Sequence, residues 1–208
     1  MKTKYKTALN RSSYLAIVSL IAFSGLCLGS PSISETGGIS ANAKIDDFSD
    51  ATNNSLGIAR QFLNDTVAGG NTANEINVAE GVMHIKGEIV PPRGQPGWAS
   101  SVLLLAPKGQ SLDVSEFDGI RLLVKVNAGN ISISANSLEV SNFDYHAAQV
   151  VVAADGKFHE IIIPFKSLKR VWSEQTPLNT KTINGLSIVA FALQKANFDF
   201  EVDEVSFY

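Results

Sequence analysis

The feature that most constrains this chain is strict alternation of apolar and polar residues. In "GIRLLVKVNAG" (119–129), Ile120, Leu122, Val124 and Val126 fall on one face and Arg121 and Lys125 on the other. That two-residue period is the signature of a strand buried on one side only. "NISISANS" (130–137) repeats it, with Ile131, Ile133 and Ala135 set against Ser132, Ser134 and Asn136. Further β-branched or aromatic runs lie at 82–89, 98–106, 157–165, 184–194 and 198–208. Turn formers separate them, as in "PPRGQPG" (91–97), "NAGN" (127–130) and "ADGK" (154–157). No stretch of ten residues carries a helical period, and only "LGIARQFL" (56–63) suggests a short helical turn. Many short strands at this spacing predict an all-β domain, an antiparallel sandwich or barrel.

The first residues read differently. Lys2, Lys4, Lys6 and Arg11 form a positive head, followed by the uncharged apolar run "YLAIVSLIAFSGLCLGS" (14–30). A basic segment leading into an apolar run of this length is the pattern of a secretory signal peptide and is short for a spanning helix. "ANA" (41–43) supplies a small-x-small cleavage site, with earlier cuts after Gly29 or Ser34 as alternatives. The expected organisation is a signal peptide and spacer over 1–43 and one domain over 44–208, periplasmic or secreted, with no membrane span after cleavage. Cys27 is the chain's single cysteine, and Leu26 before it is too bulky for an acylation signal. A cut after Ala43 therefore leaves no disulfide or thiolate chemistry. It also removes four of 17 basic residues and one of 20 acidic ones, leaving 13 against 19, a charge of −6. Such a balance disfavours nucleic acid and anionic lipid as partners.

Catalytic signatures are weak. Gly69-Gly70 lacks the Gly-Lys-Ser/Thr ending of a phosphate loop, and no Gly-x-Ser-x-Gly elbow occurs. His84, His146 and His159 have no His or Cys at ligand spacing. His159 sits within a strand pattern, where a hydrogen-bonded structural role outweighs that of a general base. Two acidic clusters, "KIDDFSD" (44–50) and "FEVDEVSF" (200–207), open and close the domain. If the first and last strands lie side by side, Asp46, Asp47 and Asp203 could converge on a structural calcium ion, whose preferred ligands are oxygens. The alternative is ordinary solvated charge at strand edges.

The order of motifs resembles the NADH:ubiquinone oxidoreductase complex I intermediate-associated protein 30 family. The carriers are "IDDF" (45–48), "NDTVAGG" (64–70), "GWASSVLL" (97–104), "DVSEFDGIRLLVK" (113–125), "FDYHAAQ" (143–149), "FHEIIIPF" (158–165) and "FDFEVDEVSFY" (198–208). Ala68 and Asn71 depart from the Met and Ser common around the Gly-Gly pair, and Phe158 replaces a frequent Trp. The resemblance implies a galactose-binding-like jelly-roll β-sandwich, similar to family 11 carbohydrate-binding modules. It makes "NDTVAGG" a structural turn, in which the glycines take angles closed to other residues and Asn64 and Asp65 bond to nearby backbone.

By the carbohydrate-module analogy the ligand-binding candidates are Trp98, Arg121, Tyr145, His146, Gln149 and Trp172. Aromatic rings would stack on sugar faces, and the polar groups would bond to hydroxyls. Trp98 fits core and groove equally well, whereas Trp172 lies in the loop-like "KRVWSEQTP" (169–177). Three functional readings stand. The first is a non-catalytic exported binding module for a glycan or other envelope component. The second is an assembly or chaperone-like factor with an envelope protein as partner. The third is an enzyme with an unmarked site.

Overall fold

The structure is a computed structural model and describes residues 43–208. The expected signal peptide and its cleavage sites before Ala43 lie outside the described residues. Among these, twelve strands form two antiparallel six-stranded sheets. The back sheet runs β3 (Ala73–Ala79), β4 (Val82–Ile89), β12 (Ala196–Phe207), β6 (Gly119–Ala128) and β9 (His159–Pro164). The short β1 (Lys44–Asp46) pairs with the C-terminal end of β12, beyond the stretch that β4 occupies. The front sheet runs β10 (Lys169–Arg170), β8 (His146–Val150), β7 (Asn130–Ser137), β11 (Ile183–Ala192), β5 (Gly97–Leu104) and β2 (Gln61–Asn64). No helix among the described residues is long and apolar enough to cross a membrane.

The alternation read from the sequence points where it should. Ile120, Leu122, Val124 and Val126 are buried between the sheets, as are Ile131, Ile133 and Ala135. Strand β12 adds Phe198, Phe200, Val202, Val205 and Phe207, switching phase at a bulge between Val202 and Glu204. Asp203 is the extra residue of that bulge. Phe207 closes one end of the core against Phe117 and Phe165, at centroid distances of 5.4 and 5.9 Å.

One expectation fails at "LGIARQFL". Gly57 takes a left-handed φ of 76°, and a bridge joins Asn53 to Ala59. The chain then runs straight into strand β2, with no helical turn. Arg60 explains this path. Its guanidinium is buried and grips the buried Asp46, Nε to Oδ2 at 2.5 Å and Nη2 to Oδ1 at 2.7 Å. Its third edge donates to the Asp50 carbonyl at 2.8 Å, and the guanidinium carbon lies 4.9 Å from the Phe48 ring centroid. Asp46 Oδ1 also accepts from the Phe48 N–H, holding that residue at a φ of 54°. "IDDF" is therefore a clasp that docks the start of the domain.

"NDTVAGG" is architectural too. The Asn64 side chain caps a single 3₁₀ turn, Asp65–Ala68, and Gly69 ends it at a φ of 85°. The Asp65 carboxylate is wholly buried and accepts from Thr72 N–H (3.0 Å), Thr72 Oγ1 (2.7 Å) and, on the neighbouring strand, Trp98 N–H (3.3 Å). A Cβ on Gly70 would lie 2.2 Å from Asp65 Cγ. Because Asp65 is short, enclosed and fully bonded, it cannot move aside.

Two outcomes follow for stability in denaturant titrations. Gly70→Ala should cost about 1–3 kcal/mol through overpacking. Arg60→Ala should cost about 3–5 kcal/mol, because it leaves the buried Asp46 charge without its partner.

Candidate functional site

The outward residues of the front sheet form the floor of an open groove. Register places Gln61, Val102, Ser187, Ser134 and Ala147 in one row across five strands. The next row is Leu63, Ser100, Val189, Ser132 and Gln149. At ordinary strand spacing each row is about 19 Å long. Small hydroxyl and β-branched side chains keep this floor low, and larger residues rise at its margins. Trp98, paired with Phe191, stands on the outer face of β5, while its neighbours Ala99 and Ser101 point inward. The period of the strand thus puts Trp98 in the groove and not in the core.

Facing it are Tyr145 and Trp172, in edge-to-face contact with ring centroids 5.2 Å apart. Trp172 is 59% exposed, yet its backbone is firmly held. The buried Asp144 carboxylate accepts from the N–H groups of Val171 (3.1 Å), Ser173 (3.0 Å) and Tyr145 (2.8 Å), and from Arg170 Nε (2.8 Å). Burial by itself pushes the Asp144 carboxyl up, but the Arg170, Ser173, Tyr145 and Val171 hydrogen bonds together hold it well below the usual carboxylate range. Burial, and then the Asp144 charge, push the Tyr145 phenol up, so it faces the groove as a neutral hydroxyl. Phe143 completes the rim, 94% exposed and at a φ of 62°. A bulky side chain in that backbone region is a rare and strained arrangement.

The groove consists of two connected depressions of about 570 and 560 Å³. They share Pro96, Trp98, Tyr145, Trp172 and Val189. Among the described residues, no Asp, Glu, Lys, Arg or His lines either one.

Of the six candidates from the sequence, Trp98, Tyr145, Gln149 and Trp172 line this groove. Arg121 does not. It lies on the outer face of the back sheet, bonded to Glu160 and Glu204. The alternation of β6 had put it opposite the core without saying which sheet it belonged to. His146 is also misplaced, being 1% exposed and pointing inward. Its Nε2 donates to the Thr176 carbonyl at 2.8 Å, so it supports the Trp172 segment from beneath. Asp144 was missed. Its signal was the Asn-x-Asp of "SNFDY" (141–145), a turn-forming pattern whose partners arrive from residues 170–173.

Asp46, Asp47 and Asp203 do not come together. Asp46 is taken by Arg60, Asp47 binds Lys44 and Ser49, and Asp203 sits in the β12 bulge. Among the described residues, one trio of His and acidic groups has ligand atoms within 4.8 Å of each other: His84, Asp199 and Glu201. These are already engaged, His84 with Asp199 at 2.9 Å and Glu201 with Lys125 at 2.5 Å.

Two antiparallel sheets packed face to face, with an open groove on the outer face of one, define the class of this protein as an all-β sandwich. The chain belongs to the complex I intermediate-associated protein 30 family, whose sequence model matches residues 49–202. No curated protein matches it. Among solved structures it is similar to the family 11 carbohydrate-binding module of the cellulosomal cellulase Lic26A-Cel5E of Clostridium thermocellum. The identity is 19% and the TM-score 0.56, over 80% of this chain and 93% of that one. The Clostridium thermocellum family 11 module in complex with a β-1,3-1,4-mixed-linked tetrasaccharide is similar at 18% identity and TM-score 0.56, over 80% and 94%. An agarase, AgWH50C, shares the fold at 12% identity and TM-score 0.52, with 79% of this chain covering 24% of the enzyme.

Asp144→Asn should lower stability at pH 7 by about 2–3 kcal/mol and blunt the near-ultraviolet signal of Trp172, since an amide cannot accept all these donors. The depressed Asp144 carboxyl contributes stability that is complete above its ordinary value of 3.8 and is lost as pH falls towards the folded value. The gap between wild type and Asp144→Asn should therefore be constant from pH 7 to 5 and narrow below about pH 4.

Proposed function

We propose that this protein is a non-catalytic binding module that holds a glycan in the front-sheet groove and works outside the cytoplasm. The single observation that carries the reading is the lining itself. Serine, asparagine and glutamine side chains share the floor with Leu63, Val102, Ala147 and Val189, and Trp98, Tyr145 and Trp172 stand over it. Aromatic faces suit the apolar C–H faces of pyranose rings, and the small polar groups suit their hydroxyls. Binding is favoured over catalysis because glycoside hydrolysis needs a pair of carboxyl groups about the scissile bond, and the groove lining contains none. The basic head and apolar run over residues 2–30 support export. The likeness to family 11 modules, one of them described with a bound tetrasaccharide, is consistent with this use of the same fold.

A protein partner is the second reading. The exposed Phe143 and Trp172 at the rim favour it, because exposed aromatic anchors are what protein interfaces employ.

Affinity electrophoresis through soluble neutral polysaccharides, mixed-linkage β-glucan first among them, separates the two. Retardation should occur, and Trp172→Ala or Tyr145→Ala should weaken it about tenfold each while leaving the fold intact. Migration unchanged in every neutral glycan, alongside stoichiometric co-purification of one protein, would move the assignment to the second reading.

A further inference from the structure

The two halves of the groove differ in how many hydroxyl-bonding side chains they offer. The first depression presents Gln61, Gln95, Ser100, Ser134, Asn136 and Ser187, six side chains able to bond to hydroxyl groups, beside the apolar Leu63, Val102 and Phe143. The second continues past the shared Trp98, Tyr145 and Trp172 onto Ala147, Ala148, Val171, Phe191 and Leu193, with Ser132 and Gln149 as its own polar side chains. Leu193 is 78% exposed and Val171 48%, so this half ends in a bare apolar lip. An open apolar surface that continues from a cleft richer in polar side chains suits a ligand with one wet end and one greasy end. Neither half has a charged side chain in its lining, so an anionic or cationic group placed there would lose hydration without gaining a partner.

We infer that the ligand is an uncharged glycoside carrying an apolar aglycone. Its sugar lies in the Ser/Asn/Gln half and its hydrocarbon part runs over Phe191, Val171 and Leu193. This rests on the glycan reading and adds what is attached to the sugar. The three shared aromatics mark the junction. Trp98 and Tyr145 can each stack on the last sugar ring with one edge and meet the first methylenes with the other, being large apolar bodies with a polar tip. A charged lipid headgroup or a uronate polymer fits the same shape poorly, for want of any counter-charge in the lining.

Calorimetry with the purified protein tests this, using a neutral disaccharide and its methyl, butyl, hexyl and octyl glycosides, all below their micelle concentrations. Affinity should rise by about fourfold per methylene over the first several carbons and then level off as the chain passes the lip. Leu193→Ser, on an exposed position that leaves folding unaffected, should flatten that rise without changing affinity for the free disaccharide. Asn136→Ala should weaken the disaccharide and its alkyl glycosides by the same factor. A series with no dependence on chain length would overturn the inference while leaving the glycan reading in place, since the apolar half would then hold a second sugar ring. A rise that persists undiminished in Leu193→Ser would overturn it as well. Octanol binding as tightly as the octyl glycoside, or no binding of any sugar, would remove the glycan reading and this inference together.

Discussion

The structure depends first on the register of β5, β11 and β7. Ser100 lies beside Val189 and Val189 beside Ser132, while Ser101 pairs with Ile188 and Ile188 with Ile133. The first row faces outward, and the second faces the back sheet. A slip of one residue in β7 would exchange its two sets, sending Ser132 and Ser134 into the core and Ile131 and Ile133 into the groove. Burial of Ile131, Ile133, Leu186 and Ile188 thereby determines, at no separate cost, that Ser132, Ser134 and Ser187 form the floor. The site is the outer side of the same alternation that builds the core.

Irregular segments cannot rely on that device, because they bury few apolar side chains. Here three of them are each tied down by one buried aspartate. Asp46 fixes the opening segment through Arg60, Asp65 fixes the 3₁₀ turn to the start of β5, and Asp144 fixes the segment carrying Trp172. An ionised carboxylate offers several acceptor sites and makes charge-assisted bonds, so one such residue can satisfy the donors of a whole turn. Two of the three serve the groove directly. Asp65 accepts from the backbone of Trp98, and Asp144 organises both Tyr145 and Trp172. The backbone that carries the three aromatic rings is thus fixed by the fold itself.

An acidic domain with a groove free of formal charge is a specific electrostatic arrangement. Asp144 and Arg170 neutralise each other behind the groove wall at 2.8 Å. Others, such as Arg121 with Glu160 and Glu204, decorate the back sheet. What remains at the front is shape, hydroxyl groups and aromatic faces, the means by which uncharged ligands are recognised.

Much of this was legible in the chain of residues alone. Alternation located β4, β5, β6, β7, β9, β11 and β12, because a half-buried strand writes its two faces into consecutive positions. It also put Ser132, Ser134 and Asn136 outside. The short or polar strands β1, β3 and β10 carry too few apolar residues to register, and β2 was hidden because Arg60 is buried by a partner fourteen positions away. Trp98, Tyr145, Gln149 and Trp172 were nameable as groove candidates through the carbohydrate-module analogy. Arg121 and His146 were not separable from them, since sequence shows that a residue alternates but not which sheet its strand joins or which way a loop-flanked strand begins. Tertiary structure decided those matters. Pairing distant strands is what placed Arg121 among back-sheet carboxylates, turned His146 inward beneath Thr176, dispersed Asp46, Asp47 and Asp203, and brought Asp144 to the segment that presents Trp172.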